Sequence, residues 1–238
     1  MVLFLRKSFM DFNFADLVRD LAVAAIPLIL ALTWAEAARG FMANRLGDRT
    51  PKSAGRLTLN PSSHIDPMFT VVVPLISFFL SGGKWLFGGA KQIPVNASSF
   101  KHPHIGMGLV SFASILANFA MAFVWLLLLL VLSITVAPES FFAQMAQRGV
   151  MVNLVFLAFS LLPIPPFTGW QIAKAMVSDS MAYKMQAFEQ QFSMFSLFII
   201  LAMGSTIFTY WIEPIMSSLY KLLLLLVTPL AAVLQAIL

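Results

Sequence analysis

Apolar residues run in long blocks along this chain, separated by polar stretches rich in proline, glycine and asparagine. The first block extends from Leu21 to Arg39, and about 20 apolar residues carry a helix across the hydrocarbon of a bilayer. Ahead of it, residues 1–20 mix Phe4, Phe9, Phe12 and Phe14 with Arg6, Lys7, Asp11 and Asp16. That mixture predicts an amphipathic segment lying along the membrane interface. Its charges interrupt any compact apolar core, so it does not read as a cleaved signal peptide. Residues 40–67 are polar and predict a loop. Residues 68–80, MFTVVVPLISFFL, are apolar but short, with Pro74 in the middle. They predict either a short helix or a re-entrant one, and the positive-inside rule favours the re-entrant arrangement. Residues 81–104 are polar and Gly-rich, and residues 105–137 form a run long enough to span with tilt. Residues 149–162 are apolar and lead into LLPIPPFTGW, whose clustered prolines must end or unwind a helix. Residues 192–212 and 218–238 predict two further spans. The pattern as a whole predicts an all-α polytopic membrane protein with about five to six transmembrane or re-entrant helices. It divides into an amphipathic segment (1–20), a membrane core (21–175) and C-terminal transmembrane helices (176–238).

Composition agrees. Of 238 residues, 60% are hydrophobic and 11% charged, against roughly 25% charged in a soluble domain. The surplus apolar surface has to face lipid. There are no cysteines, which excludes disulfides, thiolate metal sites and cysteine nucleophiles. The formal net charge of +5 suits basic loops at a membrane face. No basic run with interleaved aromatics argues for nucleic acid as a partner.

The stretch TWAEAARGFMANRLGD, residues 33 to 48, has the frame of a metal-binding helix. A zinc helix would read H-E-x-x-H, because positions four apart lie on one helix face and two ligands there can reach one ion. Here Ala35 and Arg39 stand where the histidines would be, with Glu36 between them. Four segments together carry a wider likeness: AEAARGFMANRLGDRTPKSAGRLTLNPSSHIDPMFT (35–70), AKQIPVNASSFKHP (90–103), ASILAN (113–118) and FSLLPIPPFTG (159–169). In order and spacing they resemble the compact branch, without PDZ domains, of the site-2 protease family of intramembrane zinc metalloproteases. The likeness is specific over residues 20–175 and rests only on length and hydropathy beyond them.

The resemblance implies that two histidines on one turn and an aspartate from the last motif would hold zinc, with the glutamate as general base on metal-bound water. Residue by residue, the metal positions are Ala35, Arg39 and Thr168, and only the base, Glu36, is kept. Ala35 offers no ligand, and Arg39 has no lone pair and stays cationic. Thr168 offers a neutral hydroxyl. Supporting positions differ too: Ser114-Ile115 replace a Gly-Pro pair, Asn118 is kept, and Ser160 replaces an asparagine. An engineered knock-out would change one or two residues, often the glutamate, whereas this pattern reads as natural decay of an unused site. The expectation is therefore no zinc and no other cofactor.

The histidines are His64, His102 and His104. His64, in NPSSHIDP, is expected to make a turn hydrogen bond. His102 and His104 form H-x-H in a polar loop and read as surface histidines. No serine-hydrolase elbow, P-loop or dinucleotide fingerprint appears, and Ser111 and Ser114 read as packing serines. The functional reading is a pseudoprotease. It would sit in the bacterial inner membrane among lipids and bind transmembrane helices of partner proteins as a subunit of a larger complex. Two alternatives stand beside it: an active metalloprotease with recruited ligands, and a pigment- or cofactor-associated scaffold.

Overall fold

The computed structural model describes residues 14–80 and 88–237, and all regular elements among them are helical. The amphipathic segment expected at 1–20 lies outside the described residues except for its last part, which is helical. Helix α1 is Phe14–Arg45, α2 Thr50–Ser53, α3 Val73–Leu80, α4 Pro103–Thr135, α5 Phe141–Ser160, α6 Thr168–Ala175, α7 Asp179–Ile207 and α8 Glu213–Ile237. A π-helical turn at Pro67–Val72 leads into α3, and another at Phe208–Ile212 joins α7 to α8.

Four helical stretches among the described residues are long and apolar enough to cross a membrane: Val18–Arg45, Pro103–Thr135, Phe141–Ser160 and Ala202–Ala231. The protein is an integral membrane protein. The π turn and α3 together hold 14 residues, about 21 Å of helix, which falls short of the roughly 30 Å hydrocarbon core.

Several boundaries differ from those the sequence suggests. α1 continues past Arg39 to Arg45, so the loop expected over 40–67 begins later. Ala43 in this extension packs with Phe100 and Val110 in a small core of its own. α5 begins at Phe141 rather than near 149, because Ser140 Oγ accepts the Ala143 N–H and caps it. His104, expected in a loop, lies in the first turn of α4.

The two spans expected at 192–212 and 218–238 form one helical path from Asp179 to Ile237, with no loop between them. Pro214 has no N–H to donate and its ring crowds the carbonyl one turn back. The wider π turn just ahead of it absorbs that crowding without breaking the helix.

α4 is the central helix and packs against α1, α5 and α6. The main core joins Met121, Ala122, Trp125 and Leu126 of α4 to Ala146, Val150 and Leu154 of α5 and to Met216, Leu223 and Val227 of α8, with Trp34 of α1 against it. Small residues let the helices approach. A side chain on Gly149 would run into the Trp125 indole, the close backbone approach expected where lipid leaves no water to exclude.

Candidate functional site

Glu36 and Arg39 lie three residues apart on α1, so their side chains emerge from neighbouring positions on one face. Both are largely withdrawn from solvent, at 13% and 22% side-chain exposure. Arg39 Nη1 donates to Glu36 Oε1 at 3.1 Å. The other carboxylate oxygen, Oε2, accepts the backbone N–H of Ile93 at 2.8 Å. Glu36 is thus held from both sides, by a cation on its own helix and by the backbone of AKQIPVN. Gly40 gives the Ile93 side chain its place: a Cβ there would stand 2.5 Å from Ile93 Cδ1, and that methyl would have to turn aside. Arg39 Nε is buried and meets no acceptor among the described residues.

The segment that delivers Ile93 is fixed by the two motif loops. Arg56 is buried, and its Nη2 donates to Lys91 O at 2.5 Å. Lys91 N–H donates to His64 O at 2.9 Å. His64 is 1% exposed, with Nε2 2.8 Å from Thr58 O. A carbonyl can only accept, so Nε2 carries the proton in that contact and the buried Nδ1 has no partner among the described residues. Asp48, fully buried, takes the N–H of Thr50 on Oδ1 and that of Asn96 on Oδ2, at 2.9 and 2.7 Å. Burial pulls the Asp48 pKa up. The hydrogen bonds from the Thr50 side chain and from the N–H groups of Thr50 and Asn96 outweigh that pull and hold it below the ordinary carboxylate value.

The remaining motif positions sit on neighbouring helices. Ser114, Ile115 and Asn118 are buried in α4. Ser114 Oγ donates to Ser111 O one turn back, and Asn118 Oδ1 is buried with no partner among the described residues. Ser160 closes α5. Thr168 opens α6, which packs on α4. Gly169 beside it lies so close to the Leu161 carbonyl that no Cβ fits there. No hydrogen bond joins Thr168 to Glu36 or Arg39. Ala35 contributes a methyl group on α1.

The H-x-H pair does not converge either. His102 precedes α4 with no side-chain cap bond, while His104 Nε2 lies 3.4 Å from Asp179 Oδ1 at the start of α7. Among the described residues, no three His, Cys, Asp or Glu side chains come together as a metal site would need.

Sequence reasoning missed one polar cluster. Lys174 on α6 is 3% exposed. Its Nζ donates to Glu189 Oε2 at 2.6 Å and to Gln186 Oε1 at 2.5 Å, both on α7. Gln171 Nε2 donates to Glu189 Oε1 at 2.7 Å. Polar pairs three residues apart, 171/174 and 186/189, were the available signal, since that spacing points two side chains the same way on a helix. A second missed feature is an apolar cavity of about 230 Å³ between Leu28 and Leu32 of α1, Thr70 of the π turn, Pro74 of α3, and Val152 and Phe156 of α5.

Comparison with known proteins decides the relationship. The chain is 32% identical over 211 residues to a Bacillus subtilis protein named "Putative zinc metalloprotease YwhC", covering 86% of this chain and 92% of that one. The chain belongs to the site-2 protease family. A second family member, "Putative zinc metalloprotease Rip2" of Mycolicibacterium smegmatis, is 30% identical over 167 residues, or 66% of this chain and 60% of its own. No family model and no solved structure matches. The ionic contact between Glu36 and Arg39 thus joins the two residues that the sequence likeness sets at the general-base and second metal-ligand places.

Proposed function

We propose that this chain is a catalytically inactive site-2 protease that binds a transmembrane segment of a partner protein and does not cleave it. It acts as a subunit of a larger assembly, in the bacterial inner membrane. The observation that carries the reading is Arg39 paired with Glu36. The residues at the metal positions do not fit zinc. A catalytic zinc takes three protein ligands and one water, whereas this set is a methyl, a guanidinium and a hydroxyl. A fixed cation beside the glutamate also repels a divalent ion and engages the carboxylate that would otherwise activate water. What survives is the helical frame, the motif loops and an apolar cavity beside α1, α3 and α5. In this reading the cavity takes apolar side chains of the bound segment, and the segment itself lies along the helices that line it.

The test combines activity and capture. The full chain, purified in mild detergent with added zinc, is given a model transmembrane substrate beside the YwhC protein. A photo-crosslinker placed at Val152, in the cavity, or at Leu225, exposed on α8, reports what binds in cells. The reading expects no cleavage, and one membrane protein crosslinked from Val152 at fixed stoichiometry and not from Leu225. Zinc-dependent cleavage abolished by Glu36→Gln would overturn it. The triple change Ala35→His, Arg39→His, Thr168→Asp is expected to remain a poor protease. Ser114, Ile115 and Ser160 also differ, and catalysis needs its ligands held to within about 0.5 Å by their surroundings.

A further inference from the structure

The whole net charge of this protein sits in one segment. Residues 40–104 hold seven of the fifteen Lys and Arg but only two of the ten Asp and Glu, an excess equal to the chain's total of +5. Within that segment, the end of α1 and the turn of α2 enclose a groove lined by Asn44, Gly47, Arg49, Lys52 and Ser53. It contains two cations and no carboxylate. Neither Arg49 nor Lys52 makes an ion pair among the described residues, and both are exposed. The nearby acid does not answer them: Asp48 is fully buried, with both oxygens occupied by the N–H groups of Thr50 and Asn96. That same acid fixes the frame of the groove by tying the α1 end to α2 and to the 96 loop. Gly47, at φ +107°, turns the chain and leaves an open wall without a side chain.

The position of the groove says what fills it. Arg45 is the last residue of a stretch able to cross the membrane, and the groove begins at that end. One turn earlier Phe41 is 47% exposed, on the face shared by Asn44 and Arg45. An apolar surface thus runs directly into a cationic one, as at the boundary between acyl chains and headgroups. Basic pockets at this level bind anionic headgroups. We propose that Arg49 and Lys52, with Asn44 as a polar partner, bind the phosphate of an anionic phospholipid. A zwitterionic lipid would bring a second cation into a groove with no carboxylate to receive it. The inference is independent of whether the chain is an active protease.

The test is thermal unfolding of the full chain in a non-ionic detergent with added phosphatidylglycerol, phosphatidylcholine or inorganic phosphate. Phosphatidylglycerol is expected to raise the midpoint and the other two to leave it nearly unchanged. Arg49→Gln with Lys52→Gln will raise the phosphatidylglycerol concentration that gives half the full shift about thirtyfold, while Lys184→Gln with Lys221→Gln, an equal loss of charge elsewhere, will not. Equal responses to the two lipids, or an unaltered response in the Arg49/Lys52 variant, would overturn the proposal. A response to inorganic phosphate equal to that to phosphatidylglycerol would assign the groove to a soluble anion and overturn the lipid. Both changed side chains are exposed, so the variant is expected to melt with the wild type in lipid-free detergent. If it does not, native mass spectrometry of the wild type decides: retained phosphatidylglycerol over phosphatidylcholine supports the site, and no preference sinks it.

Discussion

Replacing Arg39 and Glu36 singly and together tests whether they form one electrostatic unit. In Arg39→Met the carboxylate keeps only the Ile93 N–H, inside a site that is 13% exposed on the Glu36 side. In Glu36→Gln the geometry is worse than neutral. The single amide oxygen can face Ile93 N–H or Arg39 Nη1, and the NH₂ must then face the other donor. A hydrogen bond to a charged group contributes about 1.5–3 kcal/mol, and the partial exposure places each single change near the lower half of that range. Once one partner is gone, removing the other costs little more. The double variant should therefore lose at least about 1 kcal/mol less than the sum of the singles. The assay is thermal unfolding in detergent, where about 1 kcal/mol moves the midpoint of a chain this size by roughly 2–4 °C. Additivity to within about 0.3 kcal/mol would mean the side chains do not share their charge, and the account of why the glutamate is kept would fail.

Asp48 gives a pH prediction. Its folded pKa lies below the ordinary 3.8, so its contribution is complete above that value and is lost as pH falls through the folded one. Melting curves from pH 5 downward should show wild-type stability falling below about pH 4, with a shallower fall in Asp48→Asn; parallel curves would refute this. At pH 7 the same variant should be about 1–2 kcal/mol less stable, since one amide oxygen cannot serve two N–H donors. Lys174→Met strands Glu189 and should cost about 3 kcal/mol. Lys184→Met, at an exposed site, should stay within about 0.5 kcal/mol; equal melting points for the two would remove the buried ion pair from the account.

How much of this was legible in the sequence depended on the range of the interaction. The break after α5 was readable because Pro163, Pro165 and Pro166 act on the local backbone, and α5 ends at Ser160 just ahead of them. α4 at Pro103–Thr135 matches the apolar run of 105–137 because no charged residue or internal proline interrupts it. The extension of α1 to Arg45 was not readable. Residues 40–45 are mixed in polarity, and they are held by Phe100 and Val110, more than fifty residues away. Residues 213–217 fell between the two expected spans, yet a π turn just ahead of them carries the helix on into α8. In the site, the spacing of Glu36 and Arg39 on one helix made their meeting predictable. The Ile93 N–H that holds the other oxygen left no trace, because a backbone donor has no side-chain signature. The Lys174 cluster was hidden for a related reason: its partners lie on a second helix, and nothing local says that the two face each other.

Whether this chain holds zinc is read by elemental analysis of the purified full chain, after chelator washing and re-exposure to zinc with the YwhC protein as the parallel sample. With Ala35, Arg39 and Thr168 at the ligand positions, no stoichiometric zinc is expected. About one zinc per chain retained after chelator washing would contradict it, and its loss on replacing His102 and His104 would place the metal at that pair.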